Sequence, residues 1–158
     1  MTGHTGLGKR VAVVGATGAV GTEMVKTLHT RGFPVAELDL YASERSAERV
    51  IATPYGDRTV RPFTLEAAQQ ADIILLAVSG DFAKQYGPAL TERGGVVIDN
   101  SSAFRYDPEI PLVVPEINAA ALAGHRLIAN PNCTTAILVV ALEPLRRAFG
   151  LAKVIVST

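Results

Sequence analysis

The stretch Arg10-Val11-Ala12-Val13-Val14-Gly15-Ala16-Thr17-Gly18-Ala19-Val20-Gly21 decides the fold. Residues 10–14 are a short run of valine and alanine that reads as a buried parallel strand, and the run stops at a cluster of glycines. Beyond it Val20, Met24, Val25 and Leu28 recur at three-to-four spacing, which predicts a helix over 20–31 that Gly32 and Pro34 end. A glycine-lined turn between a first strand and a first helix is where a dinucleotide pyrophosphate meets unpaired helix N–H groups. Glycine there lets the backbone approach the phosphates, and Gly21 lets the helix pack closely on the sheet. The spacing Gly15, Gly18, Gly21 is a three-three variant of the commoner G-x-G-x-x-G, and the same turn can also serve an α/β protein that binds nothing.

Reading outward, residues 35–42 form a second strand candidate that carries Glu37 and Asp39, and a charged loop over 43–49 follows. Residues 50–52 and 59–63 suggest a short antiparallel pair about the turn Tyr55-Gly56-Asp57, and 65–70 suggest a brief helix. Residues 72–78 are almost continuously apolar and end in Ser79-Gly80, as a central strand does. A helix over 82–93, ended by Gly94-Gly95, and a strand over 96–99 come next. After a loop with Pro108, Pro111 and Pro115, a strand over 126–129 leads to Asn130-Pro131-Asn132-Cys133. A helix over 134–149, kinked or restarted at Pro144, and a strand opening over 153–158 complete the chain. Strands alternating with helices imply a doubly wound, Rossmann-like α/β fold with a mostly parallel sheet. The expected division is a flexible leader 1–9, a dinucleotide-binding domain 10–132, and the start of a truncated catalytic or dimerisation domain over 133–158.

Composition bounds the partners. A chain of 158 residues suits one ordinary core, and 48% hydrophobic against 19% charged residues excludes a disordered tail. Fifteen basic and fifteen acidic residues leave no excess charge to displace counterions, so no nucleic acid is expected as a partner. The apolar runs 73–78 and 136–142 fall far short of the roughly 20 residues that cross a bilayer, so no membrane is expected either. The start lacks a signal-peptide core and the single cysteine cannot form an internal disulfide, which fits a reducing, cytoplasmic home.

Beyond the glycine turn, three features carry chemistry. In Ser43-Glu44-Arg45-Ser46-Ala47-Glu48-Arg49, at the end of strand two, the hydroxyls and Arg45 could clamp the 2′-phosphate of NADP, while Glu44 could hold the ribose hydroxyl of NAD. Cys133 follows Asn-Pro-Asn at a loop-to-helix junction, where oriented backbone dipoles favour a thiolate; a lone cysteine can equally be an inert core residue. A thiolate beside a nicotinamide points to an aldehyde or acyl oxidoreductase working through a thioester. Arg105, after Asp99-Asn100-Ser101-Ser102-Ala103-Phe104, could hold a phosphate or carboxylate at the sheet edge, or pair with Asp107 or Glu109. His4, His29 and His125 have no spacing that suggests a metal site or a base for Cys133, and no metal is expected.

In this order, the Gly15–Gly21 turn, the Ser43-x-Arg45-Ser46-Ala47 loop, Asp99 to Arg105, Val113-Val114-Pro115-Glu116-Ile117-Asn118 and Asn130 to Thr135 resemble aspartate-semialdehyde dehydrogenase. The resemblance implies NADP-dependent, reversible conversion between aspartyl phosphate and aspartate semialdehyde, on the route to lysine, methionine and threonine. It implies that Cys133 is the thioester nucleophile and that Arg105 and Asn132 bind substrate, Arg105 through its phosphate. It places cofactor contacts at Gly15, at Thr17, Gly18, Ala19, Val20 and Gly21, at Ser43, Arg45 and Ser46, and at Ser79 and Gly80. Two departures stand out: Glu48 takes the place where the family loop usually has glycine, and family members are about twice as long, in two domains. The resemblance puts a substrate-orienting glutamine, a second arginine and the catalytic histidine in the portion beyond residue 158. The chain alone is therefore expected to bind cofactor, with NAD still possible, and to turn over poorly. Apolar surface on residues 136–145 and 154–156 is expected to drive homo-oligomerisation. The alternatives are an N-acetyl-glutamyl-phosphate reductase, whose usual motif places His-Pro-Gly before the cysteine, and a noncatalytic dinucleotide-binding module.

Overall fold

The computed structural model describes residues Gly8–Ser157. Residues 1–7 of the expected leader, His4 among them, lie outside the described residues, and Lys9 already belongs to the first strand. In chain order the elements are β1 (Lys9–Val14), α1 (Ala19–Thr30), β2 (Val35–Ala42), β3 (Val50–Thr53), β4 (Gly56–Thr59), β5 (Arg61–Pro62) and α2 (Leu65–Ala68). Then follow β6 (Ile73–Leu76), α3 (Gly80–Leu90), β7 (Val96–Asp99), α4 (Pro115–Asn118), β8 (Leu127–Ala129) and α5 (Cys133–Phe149). Six strands make one parallel sheet in the order β5-β2-β1-β6-β7-β8. The doubly wound, Rossmann-like expectation is therefore met, with the chain winding from β1 to one edge and then from β6 to the other.

The period of two in the buried strands divides the core between the two faces of the sheet. Val11 and Val13 join Val25, Leu38, Leu40 and Val60 on the α1 face. Ala12 and Val14 join Ile74, Leu76, Ala83, Leu90 and Val97 on the face covered by α2 and α3. Each fully buried valine or leucine contributes about 1.5–3 kcal/mol relative to exposure. Asp39, in the middle of β2, is only 2% exposed, and its carboxylate is bracketed by Arg10, at 2.7 Å, and Arg61. Removing either cation weakens the compensation of a buried charge, which is why the short β5 carries an arginine at the sheet edge. Arg61 also lies over the Tyr41 ring at 5.5 Å, and burial pushes the Tyr41 phenol up.

Several expectations need correction. The antiparallel pair turns at Pro54-Tyr55, with Thr53 opposite Gly56, because Thr53 Oγ1 donates to the Gly56 carbonyl and accepts from the Tyr55 amide. Residues 61–62 leave that pair and run parallel to β2, opposite Tyr41 and Ala42. The strand expected over 153–158 is absent among the described residues: Leu151–Ser157 is irregular and exposed, with no neighbouring strand to take up its backbone groups. The third helix ends at Leu90, ahead of the expected stop, because Thr91 Oγ1 caps the Pro88 carbonyl. The fifth helix does not restart at Pro144, since Val140 and Pro144 lie on its exposed side, where water can serve the carbonyl that proline leaves unpaired.

Glu48 is the one non-glycine residue among those described with a left-handed backbone, at φ 62°. Its amide donates to the Val60 carbonyl at 2.8 Å, while the Val60 amide donates to Arg49, so two residues stand opposite one as in a bulge that normally begins with glycine. A side chain in this conformation costs about 1 kcal/mol or more. Glu48→Gly should therefore raise the urea midpoint by an amount corresponding to about 1 kcal/mol. A lower midpoint would show that the glutamate side chain compensates its own strain.

Candidate functional site

The site begins where the winding reverses. β2 lies on one side of β1 and β6 on the other, so a crevice opens beyond the carboxyl ends of β1 and β6. The strand ends are tied across it: the Gly15 and Ala16 amides donate to the Tyr41 carbonyl at 2.8 and 3.1 Å, and the Ala77 amide donates to Val14 at 2.8 Å. Gly15 has φ +85°, and a Cβ there would overlap the Ala77 carbonyl oxygen, so the turn can close only on glycine.

A cleft of about 350 Å³ lies over this turn, lined by Gly15, Thr17, Gly18, Ser43 and Ser79, with Phe63 and Phe82 as an apolar wall. Two helix N-termini begin at its lining. α1 starts after Gly18, which has no side chain to cap the first-turn amides; α3 starts after Ser79, whose Oγ accepts from the Phe82 amide at 3.3 Å. The N–H groups and the positive dipole ends make this an anion-binding place.

The sequence-expected cofactor residues fall into four groups. Gly15, Thr17, Gly18, Ser43 and Ser79 share the cleft lining. Ala19, Val20 and Gly80 are the opening residues of α1 and α3, and Arg45 and Ser46 lie in a single 3-10 turn, Glu44–Ser46, outside the lining. Gly21 is buried and serves packing, because a Cβ there would strike the Gly15 carbonyl. Phe63 and Phe82 were missed. Their rings meet at 4.8 Å and both contact Tyr86, but they are distant in sequence and lie on no shared periodic stripe.

A second cluster occupies the carboxyl ends of β7 and β8. Asp99 is fully buried; its Oδ1 accepts from the Ser101 amide at 3.0 Å and its Oδ2 from Ser101 Oγ at 2.7 Å, while Ser101 Oγ accepts from the Ala103 amide at 3.1 Å. This fixes the turn that carries Arg105. The Arg105 side chain points back at the strand ends, with Nε donating to the Asn130 carbonyl at 3.0 Å and Nη2 to the Asn100 carbonyl at 3.1 Å. It therefore forms no ion pair with Asp107 or Glu109 among the described residues. Asn132 is the N-cap of α5: its Oδ1 accepts from Thr134 N at 3.0 Å, Thr134 Oγ1 at 2.6 Å and Thr135 N at 3.4 Å. Cys133 is the first residue of that helix and is exposed, at the sheet edge where ligands of such folds collect. His29 and His125 are exposed, and His29 packs edge-on against Tyr55. Among the described residues no three His, Cys, Asp or Glu side chains group as metal ligands.

The cap gives a direct expectation. Asn132→Ala should destabilise the start of α5 by about 1 kcal/mol, seen as a lower thermal midpoint with the dinucleotide cleft unaltered. An unchanged melt would mean that the hydrogen bonds at Asn132 do not hold the helix start.

The family described as semialdehyde dehydrogenase, NAD binding domain, matches residues 10–125. The aspartate-semialdehyde dehydrogenase of Bacillus subtilis (strain 168) is 49% identical over 154 residues, covering 97% of this chain and 44% of that protein. The crystal structure of aspartate semialdehyde dehydrogenase II from Vibrio cholerae complexed with ASA superposes with a TM-score of 0.84 at 43% identity, over 91% of this chain and 48% of that one. The Candida albicans aspartate semialdehyde dehydrogenase structure with NADP gives 0.72 at 26% identity, over 91% and 48%. The chain thus spans less than half the length of the relatives named here. No helix among the described residues is long and apolar enough to cross a membrane. With a matching fold, a glycine turn at the switch point and a match over most of its length, the chain belongs to the semialdehyde dehydrogenase family and carries its NAD-binding domain.

Proposed function

We propose that the cleft above Gly15 binds NADP in preference to NAD, and that Cys133 and Arg105 act in the interconversion of aspartyl phosphate and aspartate semialdehyde. The supporting observation is the layout of one sheet edge: β1, β2 and β6 end at an anion-binding cleft, and β7 and β8 end beside an exposed thiol and an arginine. The relatives bound to NADP and to ASA support the choice of ligands. The cleft suits the pyrophosphate of a dinucleotide through its two helix N-termini and the absence of any Cβ at Gly15.

A nicotinamide dinucleotide bound there supplies or accepts a hydride. The residues of this chain contribute part of the remainder. The first-turn amides of α1, with Thr17 and Gly18, meet the pyrophosphate; Ser43, Arg45 and Ser46 take the 2′-phosphate, with Ala19, Val20, Ser79 and Gly80 completing the contacts. The Cys133 thiolate attacks the acyl phosphate carbonyl, a carbon–sulfur bond forms, and the bond to the phosphate oxygen breaks. Arg105 neutralises the departing phosphate and Asn132 holds the substrate beside the sulfur. The product serves cytoplasmic lysine, methionine and threonine synthesis. Residues 133–158 open a second domain in this reading, and the 158 residues alone bind cofactor with little turnover.

Calorimetric titration tests this. NADP should bind more tightly than NAD, and Arg45→Ala should weaken NADP by about tenfold, the loss of one charge-assisted contact, with NAD nearly unaffected. Binding of neither dinucleotide would sink the reading; equal binding of both would sink the preference, with Glu44 and Glu48 as the cause. We further infer self-association through α5, where Ile137 is 73% and Phe149 84% exposed. Light scattering should give a mass above that of one chain at high concentration, and a monomer throughout would refute it.

A further inference from the structure

We propose that Asn100 and Asn130 are positioning residues that lock the Arg105 guanidinium to the strand ends and present only its far edge to an anion beside Cys133. The inference rests on the proposed roles of Arg105 and Cys133. Asn130 Nδ2 donates to Asn100 Oδ1 at 2.6 Å, joining the ends of β7 and β8 through side chains, just beyond the backbone bond from the Asn130 amide to the Asp99 carbonyl at 2.8 Å. The carbonyls of the same two residues receive Arg105 Nε and Nη2. Nε and Nη2 form one edge of the planar fork, so that edge is already occupied. The edge made by Nη1 and the second N–H of Nη2 remains for a ligand.

The consequence is geometric. A guanidinium held only by its own side chain has several rotamers, whereas one fixed at two carbonyls offers its free edge in one direction. The Asn130 carbonyl is three residues ahead of Cys133, so the anchored fork is tied within roughly 11 Å of chain from the cysteine. The side-chain amide bond keeps both carbonyls at the separation the fork needs. Without it only the backbone bond from Asn130 to Asp99 fixes the relative positions of the two carbonyls, and the Arg105 anchor loosens.

Paired alkylation of Cys133 reads this directly. Iodoacetate is an anion and iodoacetamide is its neutral counterpart; both need the thiolate, so the ratio of their rates cancels thiolate fraction and accessibility and reports the field of Arg105 at the sulfur. In the full chain the ratio should exceed that of free cysteine and fall to it in Arg105→Ala. Asn130→Ala and Asn100→Ala each remove one partner without adding charge; each should lower the ratio about fivefold, the size of one net hydrogen bond, with a cooperative melt and NADP binding retained. An unchanged ratio in both Asn130→Ala and Asn100→Ala, alongside a drop in Arg105→Ala, would overturn the positioning role. No drop in Arg105→Ala would instead overturn the reading of Arg105 as the anion partner of Cys133. If Asn130→Ala fails to fold, Asn100→Ala decides, because the residue at position 100 keeps its backbone bond to Leu76.

Discussion

The close approach of the Gly15 turn to the end of β6 is the constraint on which the architecture depends. At that point a parallel sheet reverses its winding, and the turn must pass under the Ala77 carbonyl with no room for a side chain. Once it does, the consequences are fixed: β1 pairs with β2 and β6 at once, α1 begins directly above the turn, and its uncapped amides line the crevice. Gly21 extends the same constraint by one helical turn, because α1 sits on the Gly15 carbonyl itself. The cleft is thus a by-product of topology, and its chemistry comes from backbone groups that the fold leaves unpaired.

Two buried carboxylates brace the two halves of the sheet differently. Asp39 is compensated by two cations that remain partly in water, so it joins β1, β2 and β5 by charge. Asp99 has no cation within salt-bridge distance among the described residues and is satisfied by the Ser101 amide and hydroxyl. The first arrangement holds strands side by side. The second shapes a turn, and that turn carries Arg105. A carboxylate that organises backbone amides gives a rigid loop at the cost of burying charge, which suits a position that must aim a side chain.

The strands and helices around the switch point were legible because their signals are local: the valine run of β1, the three-to-four spacing of α1, and the apolar run of β6. Residues 35–42 and 96–99 coincide with β2 and β7 for the same reason. What could not be read needs pairing across the sheet. Arg61-Pro62, expected within the antiparallel pair, becomes β5 beside β2 because β2 offers an edge, and the expected terminal strand at 153–158 fails among the described residues for want of one. The site divides likewise. The glycine turn and the Asn-Cys junction are contiguous in sequence, so their chemistry is visible; the Phe63–Phe82 wall and the Asn100–Asn130 bridge join distant segments and become visible only in the folded chain.

The same division runs through the sheet. The dinucleotide cleft is built by β1, β2 and β6, and the thiol and arginine by β7 and β8, with the β6–β7 ladder as their shared seam. Along that seam Leu76 stands opposite Asp99, and the Asn100 amide donates to the Leu76 carbonyl at 3.1 Å. Ala77, the next residue on one side, closes the glycine turn; Asn100 on the other holds the Arg105 fork. The glycine turn and the arginine are therefore joined through two residues of paired backbone, the shortest stiff connection between the two ends of the crevice.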